Sequence, residues 1–124
     1  MGTTTADGPR ELSTGSPDIA SNGPLPTIFT PEQAERGRRV FGSICSSCHG
    51  RNEFRGPIFQ LTWMAEPVGN LFQHISTTMP YDEPGSLEEE EYAAIVAYML
   101  DLNGRTPGDR ELPADTGLLS RMRW

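Results

Sequence analysis

The sequence contains no lysine: its ten basic residues are all arginine, set against 17 Asp and Glu residues, and the net charge is -7. A chain this acidic lacks the basic surface that binds nucleic acid or an anionic membrane. It also lacks any apolar run near the roughly 18 residues of a membrane span, and residues 1–28 hold no signal-peptide core. We therefore expect a soluble chain with no nucleic-acid partner. A membrane tether would require a missing N-terminal segment or fusion to a larger chain.

Large apolar side chains are also scarce. Leu, Ile, Val and Phe together number 24 of 124 residues, just under the roughly 20% below which charged sequences tend toward disorder. There are only two cysteines, three positions apart, so the chain is not a disulfide scaffold. Either much of the chain is unfolded, or something other than side chains fills the centre of its core.

A first helix is predicted after Thr30. This residue is a suitable N-cap, Pro31 favours the first helical position, and Gln33 would complete a capping box. Gly37 interrupts the helix at a cost of about 1 kcal/mol relative to Ala. Such a glycine indicates the close approach of another helix.

Two further helices are predicted. One covers about residues 67–75, where apolar residues recur at helical spacing. The other starts at Ser86, in a capping box with Glu89, and ends at the stop signal of residues 103–104. Residues 50–66 are predicted to be irregular. Because no stretch alternates like a strand, the expected fold is all-α.

Both ends of the chain differ from the centre. Residues 1–28 are rich in Thr, Ser, Gly and Pro, which predicts a disordered tail or linker, the alternative being a strap over the domain. Residues 106–124 form a C-terminal extension that is expected to pack back on the domain. The strap would use Leu25, Ile28 and Phe29, and the extension would use Leu118, Leu119, Met122 and Trp124.

Residues 45–49 read Cys-Ser-Ser-Cys-His, the C-x-x-C-H pattern of covalent haem attachment. Two thiols at this spacing can each add to one vinyl group of the same porphyrin, and the adjacent imidazole can bind the iron. Cys45 and Cys48 are thus predicted to attach one haem c, with His49 as an iron ligand. The alternatives fit less well, since a redox dithiol would open a helix in a βαβ unit and zinc would need a fourth ligand.

An electron-transfer haem also needs a second axial ligand. The candidates are His74, Met1, Met64, Met79, Met99 and Met122. Met79 is favoured because it lies in a Pro-flanked loop 30 residues beyond His49, and a thioether ligand raises the reduction potential. Met99 falls on the buried stripe of the last helix, where a core role fits better.

The residues around the motif resemble those of class I c-type cytochromes. In that family a Gly and an aromatic precede the first Cys by eight and four residues, as Gly37 and Phe41 do here. Tyr98 fits the aromatic of the C-terminal helix that packs there, and Met79 is followed by proline as in the family. The resemblance covers about residues 29–105. It implies a cytochrome c fold, with three to four helices wrapped around one covalently bound haem.

The same resemblance implies three further cofactor-binding residues. Pro57 matches the proline whose carbonyl accepts a hydrogen bond from the ligating His and so orients its ring. Trp63 lies where relatives place an aromatic near a haem propionate, and Arg55 is a second candidate of that kind. The segment of residues 77–104 and the tail after it resemble domains that accompany quinoprotein (pyrroloquinoline quinone) dehydrogenases and related periplasmic oxidoreductases.

The resemblance implies a single-electron carrier and not an enzyme, because His49 and Met79 would fill both axial positions. Its donor would be a dehydrogenase and its acceptor an oxidase or another cytochrome. The alternatives are a haem-based ligand sensor or weak peroxidase with a labile Met79, and one domain of a larger enzyme. Covalent haem attachment implies the periplasm or the outer face of the bacterial cytoplasmic membrane.

A haem would also account for the scarcity of core residues, since the chain need only wrap an apolar macrocycle. We therefore expect the haem-free chain to be largely unfolded. The residues predicted to line the haem or support its packing are Phe41, Ile44, Ile58, Leu71, Phe72, Ile95, Tyr98 and Met99.

Overall fold

The fold is built from helices. A computed structural model describes residues 23–124, so most of the predicted N-terminal tail lies outside the described residues. The helices are α1 (Pro31–Val40), α2 (Pro57–Trp63), α3 (Val68–Thr78), α4 (Glu89–Leu102) and α5 (Thr116–Leu119). A π-helical turn at Phe41–Cys45 extends α1, and a 3-10 turn occupies Arg51–Phe54. The described residues form no strands, only two isolated bridges, which confirms the all-α prediction.

The crossing of α1 and α4 is the tightest contact of the fold. The Thr30 side chain caps α1 by accepting a hydrogen bond from the backbone N–H of Gln33 at 3.0 Å. A Cβ atom at Gly37 would lie only 1.9 Å from the carbonyl oxygen of Ala94 in α4. The two backbones therefore touch at this point, as the glycine predicted.

The predicted capping box of Thr30 and Gln33 is wrong in its second half. Gln33 is buried, with 2% of its surface exposed, and its amide nitrogen donates to the Leu112 carbonyl at 3.0 Å. Its amide oxygen accepts from the Leu112 N–H at 2.8 Å. Because a buried amide must find partners, Gln33 ties α1 to the C-terminal extension and does not cap the helix.

Helix α4 starts later than predicted. Its N-cap is Glu88, in a capping box with Glu91, and not Ser86 with Glu89. The Ser86 N–H instead bonds to the carbonyl of Glu83 at 3.2 Å, so Ser86 still belongs to the preceding turn. The acidic residues of the first turn face the positive end of the helix dipole, which is favourable.

Helix α2 lies where an irregular segment was predicted. Its buried residue is Phe59, whose ring contacts those of Phe54 and Trp124 at centroid distances of 6.1 and 5.7 Å. Ile58 points outward and is 82% exposed. The prediction that Ile58 lines or supports the haem pocket is therefore wrong, because this short helix turns only one side toward the core.

The C-terminal extension packs against α3 and the first described residues. A Cβ atom at Gly69 would lie 2.7 Å from the backbone nitrogen of Ser120, so α5 and the turn after it closely approach α3. Leu119 is fully buried, and the Leu25 N–H donates to the carbonyl of Arg121 at 2.8 Å. Residues near both ends of the described chain thus contribute to one core.

Candidate haem site

A cavity of about 300 Å³ opens between the end of α1, the end of α3 and the face of α4. This volume is at the lower end of the roughly 300–1,000 Å³ typical of small-molecule sites. The lining is largely apolar and also brings together Cys45, Cys48, His49 and Met79. Its other members are Phe41, Ile44, Ser47, Ile75, Pro80, Tyr81, Asp82, Ile95 and Met99.

The two cysteines lie where α1 ends. The π-helical turn closes with a hydrogen bond of 2.8 Å from the Ser46 N–H to the carbonyl of Phe41, and such turns are frequent at functional sites. Both thiols are free, and burial raises the pKa of Cys45. The dithiol of a thiol-exchange site instead opens a helix, whose N-terminus lowers the thiol pKa, whereas these cysteines lie where a helix ends.

His49 is held by a carboxylate that the sequence interpretation missed. Its Nδ1 lies 3.0 Å from Oε1 of Glu53, and Oε2 of Glu53 accepts from the Gly50 N–H at 2.8 Å. The hydrogen bond with His49, and after it the bond from Gly50, lower the pKa of the Glu53 carboxyl. A negative charge therefore faces the imidazole. With Nδ1 engaged, Nε2 is the ring nitrogen left to bind iron. The sequence did offer one signal for this pair, because Glu53 follows His49 by four positions.

The acceptor predicted for His49 was the carbonyl of Pro57. The hydrogen bonds found among the described residues place Glu53 in that role, and Pro57 begins α2 as an exposed residue. Arg55 is also exposed. Trp63 is half-buried, with its ring 5.2 Å from that of His74. None of Pro57, Arg55 and Trp63 belongs to the cavity lining, so their roles toward a haem stay predictions.

Two methionines line the cavity. Met79 follows the last residue of α3 and is half-buried, whereas Met99 lies within α4 and is only 2% exposed. Met64, Met122 and His74 do not line it, and Met1 lies outside the described residues. Met79 therefore lines the cavity from the edge of the core, against which it packs while half-buried, whereas Met99 belongs to the core itself.

The apolar lining, the paired thiols and the two candidate axial ligands together fit a haem. A zinc site would need further protein ligands, and residues 23–124 contain no group of three or more His, Cys, Asp or Glu residues that could hold a metal ion. In the same range, no helix is long and apolar enough to cross a membrane.

Charge is unevenly distributed around the site. Between Arg55 and Arg105 the chain has eight Asp and Glu residues and no Arg or Lys, and six of the eight lie from Asp82 to Glu91. The loop after Met79 and the start of α4 are therefore strongly acidic. The residues following His49 carry charges of both signs, with Arg51 and Arg55 flanking Glu53.

The helical fold and this cavity define a c-type cytochrome domain. Residues 32–99 match the model of the family described as cytochrome c oxidase, cbb3-type, subunit III, and the chain belongs to that family. It is also 30% identical over 84 residues to the quinohemoprotein alcohol dehydrogenase ADH IIB of Pseudomonas putida. That alignment covers 62% of this chain and 12% of the relative, so the chain spans only a small part of that protein. No solved structure matches the chain.

A cytochrome c domain carries electrons on a haem and exchanges them with redox partners, and it is not itself an enzyme. The resemblance to class I c-type cytochromes is thereby confirmed at the level of the family.

Proposed function

We propose that this chain carries single electrons on one haem c, attached through Cys45 and Cys48 and ligated by His49 and Met79. The observation that supports it best is that one apolar cavity is lined by all four of these side chains. When bound, the haem supplies the Fe(III)/Fe(II) couple. With His49 and Met79 both holding the iron, no position on it would remain for a substrate.

Each part of the site has a definite task in this proposal. Thioether bonds from Cys45 and Cys48 would hold the cofactor at the end of α1, and Glu53 orients His49 and would increase its basicity as a ligand. A Met79 thioether on the iron would favour the ferrous state and so raise the potential. Buried apolar side chains such as Ile95 and Met99 exclude water from the inner part of the cavity.

We further propose that the domain spans residues 29–105, with residues 1–28 as a tail or linker and residues 106–124 as an extension packed on it. A dehydrogenase would be the donor, and an oxidase or another cytochrome the acceptor. The similarity to a quinohemoprotein dehydrogenase supports that donor, and it equally supports the chain being one domain of a larger enzyme. The place of action would be the periplasm or the outer face of the cytoplasmic membrane.

The test uses the holoprotein produced in a host that attaches haem c. Three properties are measured: its redox titration, its mass and its response to carbon monoxide. The proposal predicts a mass increase of one haem that survives denaturation, a one-electron transition and slow or absent binding of carbon monoxide. Rapid binding of carbon monoxide without loss of fold would instead support the alternative, a ligand sensor or weak peroxidase. Haem that is released on denaturation would contradict covalent attachment.

A further inference from the structure

The segment that follows α3 has few side chains in the core. Residues 79–88, here called the distal loop, connect Met79 to the N-cap of α4, and Tyr81 through Ser86 are all exposed. Backbone bonds within the loop are few and local, such as that from the Glu83 N–H to the carbonyl of Pro80 at 3.0 Å. The Met79 N–H is tied to α3 by its bond to the carbonyl of Ile75 at 3.0 Å, but the chain beyond it needs a further anchor outside the loop.

Tyr92 of α4 reaches both ends of this loop. Its hydroxyl donates to the backbone carbonyl of Met79 at 2.7 Å and accepts from the N–H of Leu87 at 3.3 Å. A phenol can donate one hydrogen bond and accept others, so both contacts can exist at once. The ring is 2% exposed, which fixes the hydroxyl relative to the most rigidly packed helix of the fold.

We infer that Tyr92 is a positioning residue, which clamps the distal loop so that the Met79 side chain stays at the haem iron. This inference rests on the proposed ligation by Met79. The hydroxyl bonds to the peptide group that carries the Met79 side chain, so it restrains the root of the ligand without touching the iron. The Gly85 N–H also bonds to the Met79 carbonyl, but at 3.2 Å and from within the loop itself, so it cannot anchor the loop to α4.

The clamp makes a prediction about ligand exchange. An external ligand such as imidazole can bind the ferric iron only when Met79 has left it, so its apparent affinity depends on the population of the open loop. Losing the hydroxyl removes both bonds from Tyr92 to the loop and should increase that population. We expect about tenfold tighter imidazole binding in Tyr92→Phe, which corresponds to about 1.4 kcal/mol.

The experiment compares oxidised holoproteins with Tyr92→Phe and with Tyr98→Phe. Tyr98 is on the same helix, but its ring faces Phe41 of the turn after α1 at 5.6 Å, so it controls for removal of a tyrosine hydroxyl from α4. The readouts are imidazole affinity and the weak far-red absorption band that methionine ligation gives to ferric haem. Far-ultraviolet circular dichroism reports whether the fold is retained.

Tighter imidazole binding and a weakened far-red band in Tyr92→Phe alone, with unchanged helical content, would support the clamp. A wild type that shows the band, with a Tyr92→Phe variant that binds imidazole equally, would overturn the clamp and leave Met79 ligation standing. A wild type without the band would overturn Met79 ligation and the clamp with it. Loss of helical content in Tyr92→Phe would assign Tyr92 to the fold as a whole and also overturn the clamp.

Discussion

The two sides of the haem cavity are built in different ways. Residues 41–54, here called the proximal segment, carry the cysteines and His49. Most of them are exposed, but the segment is anchored by Phe41, which is buried and in ring contact with its neighbours. Phe41 contacts Phe54 and Tyr98 at 5.5 and 5.6 Å, and Phe54 contacts His49 at 5.3 Å. The distal loop supplies Met79 from a mostly exposed stretch that is held by backbone bonds and Tyr92.

This difference has a consequence for dynamics. Regions with few buried apolar contacts and exposed backbone bonds open locally at low free-energy cost, whereas densely packed regions open only with the whole fold. The proximal segment is anchored in the core by Phe41 and would carry the haem on two covalent bonds, so it should hold the cofactor whenever the protein is folded. The distal loop should be the side that opens first and, through Met79, the side that sets the reduction potential of the iron.

The largest expected effect comes from the crossing that supports the proximal segment. In Gly37→Ala the new methyl group would collide with the backbone of Ala94, so the two helices must separate. We expect a loss of about 3 kcal/mol in the free energy of unfolding, measured by denaturant titration of the holoprotein.

The matched control is Gly42→Ala, in the π-helical turn that extends α1, where an added Cβ would meet nothing within 4 Å. We expect this change to be neutral or to stabilise the protein by about 1 kcal/mol or less. Equal unfolding midpoints for the two variants would contradict a tight crossing at Gly37.

A smaller effect is expected from Glu53, which should influence the reduction potential of the haem without being needed to hold it. Glu53→Gln keeps a hydrogen-bond acceptor for His49 but removes the negative charge beside it. Because that charge increases ligand basicity and favours Fe(III), its loss should raise the reduction potential. The expected rise is on the order of 60 mV, which is one tenfold change in the equilibrium constant of a one-electron couple.

The control for Glu53→Gln is Asp109→Asn, which also removes one negative charge, but near the start of α1. Asp109 lies there because the N–H of the neighbouring Gly108 bonds to the carbonyl of Phe29. The reduction potential of Asp109→Asn should equal that of the wild type. If Glu53→Gln shifted the potential no more than this control does, the carboxylate would not act on His49.

The smallest effect concerns the charge of the distal side. Neutralising Asp82 and Glu83 together should slow electron exchange with a cationic inorganic reagent and speed it with an anionic one, by about threefold at low ionic strength. The effect should fade above about 0.1 M salt, where the screening length is about 10 Å. Stopped-flow spectroscopy measures both rates.

The paired change of Glu32→Gln and Asp109→Asn removes two charges far from the cavity. It should change both rates less than the change at Asp82 and Glu83 does. Identical rates for the two double variants would mean that electrons do not leave near the distal loop.

The sequence predicts the proximal side better than the distal side, and the reason is the range of the interactions. The C-x-x-C-H pattern is complete within five residues, and the glycine at position 37 reports a backbone contact that no other residue type would permit. Helix α3 was recognisable by its apolar stripe, and α4 by an apolar run over residues 92–100 that is buried on every side of the helix. All of these are local or strongly periodic signals.

The missed features depend on contacts between distant residues or on short elements. Gln33 matched a local capping pattern, yet its amide is taken by Leu112, 79 residues away. Helix α2 escaped prediction because it buries only Phe59 and leaves Ile58 exposed. The position of Tyr92 in a helix gave no hint that its hydroxyl bonds to Met79, 13 residues earlier.

The most direct test of the central claim is the far-red band of the oxidised holoprotein in the wild type, in Met79→Ala and in Met99→Leu. Ligation of the haem by His49 and Met79 predicts that the wild type and Met99→Leu show the band. Met79→Ala should lose it and have a lower reduction potential. A band that persists in Met79→Ala, or that disappears only in Met99→Leu, would contradict the account.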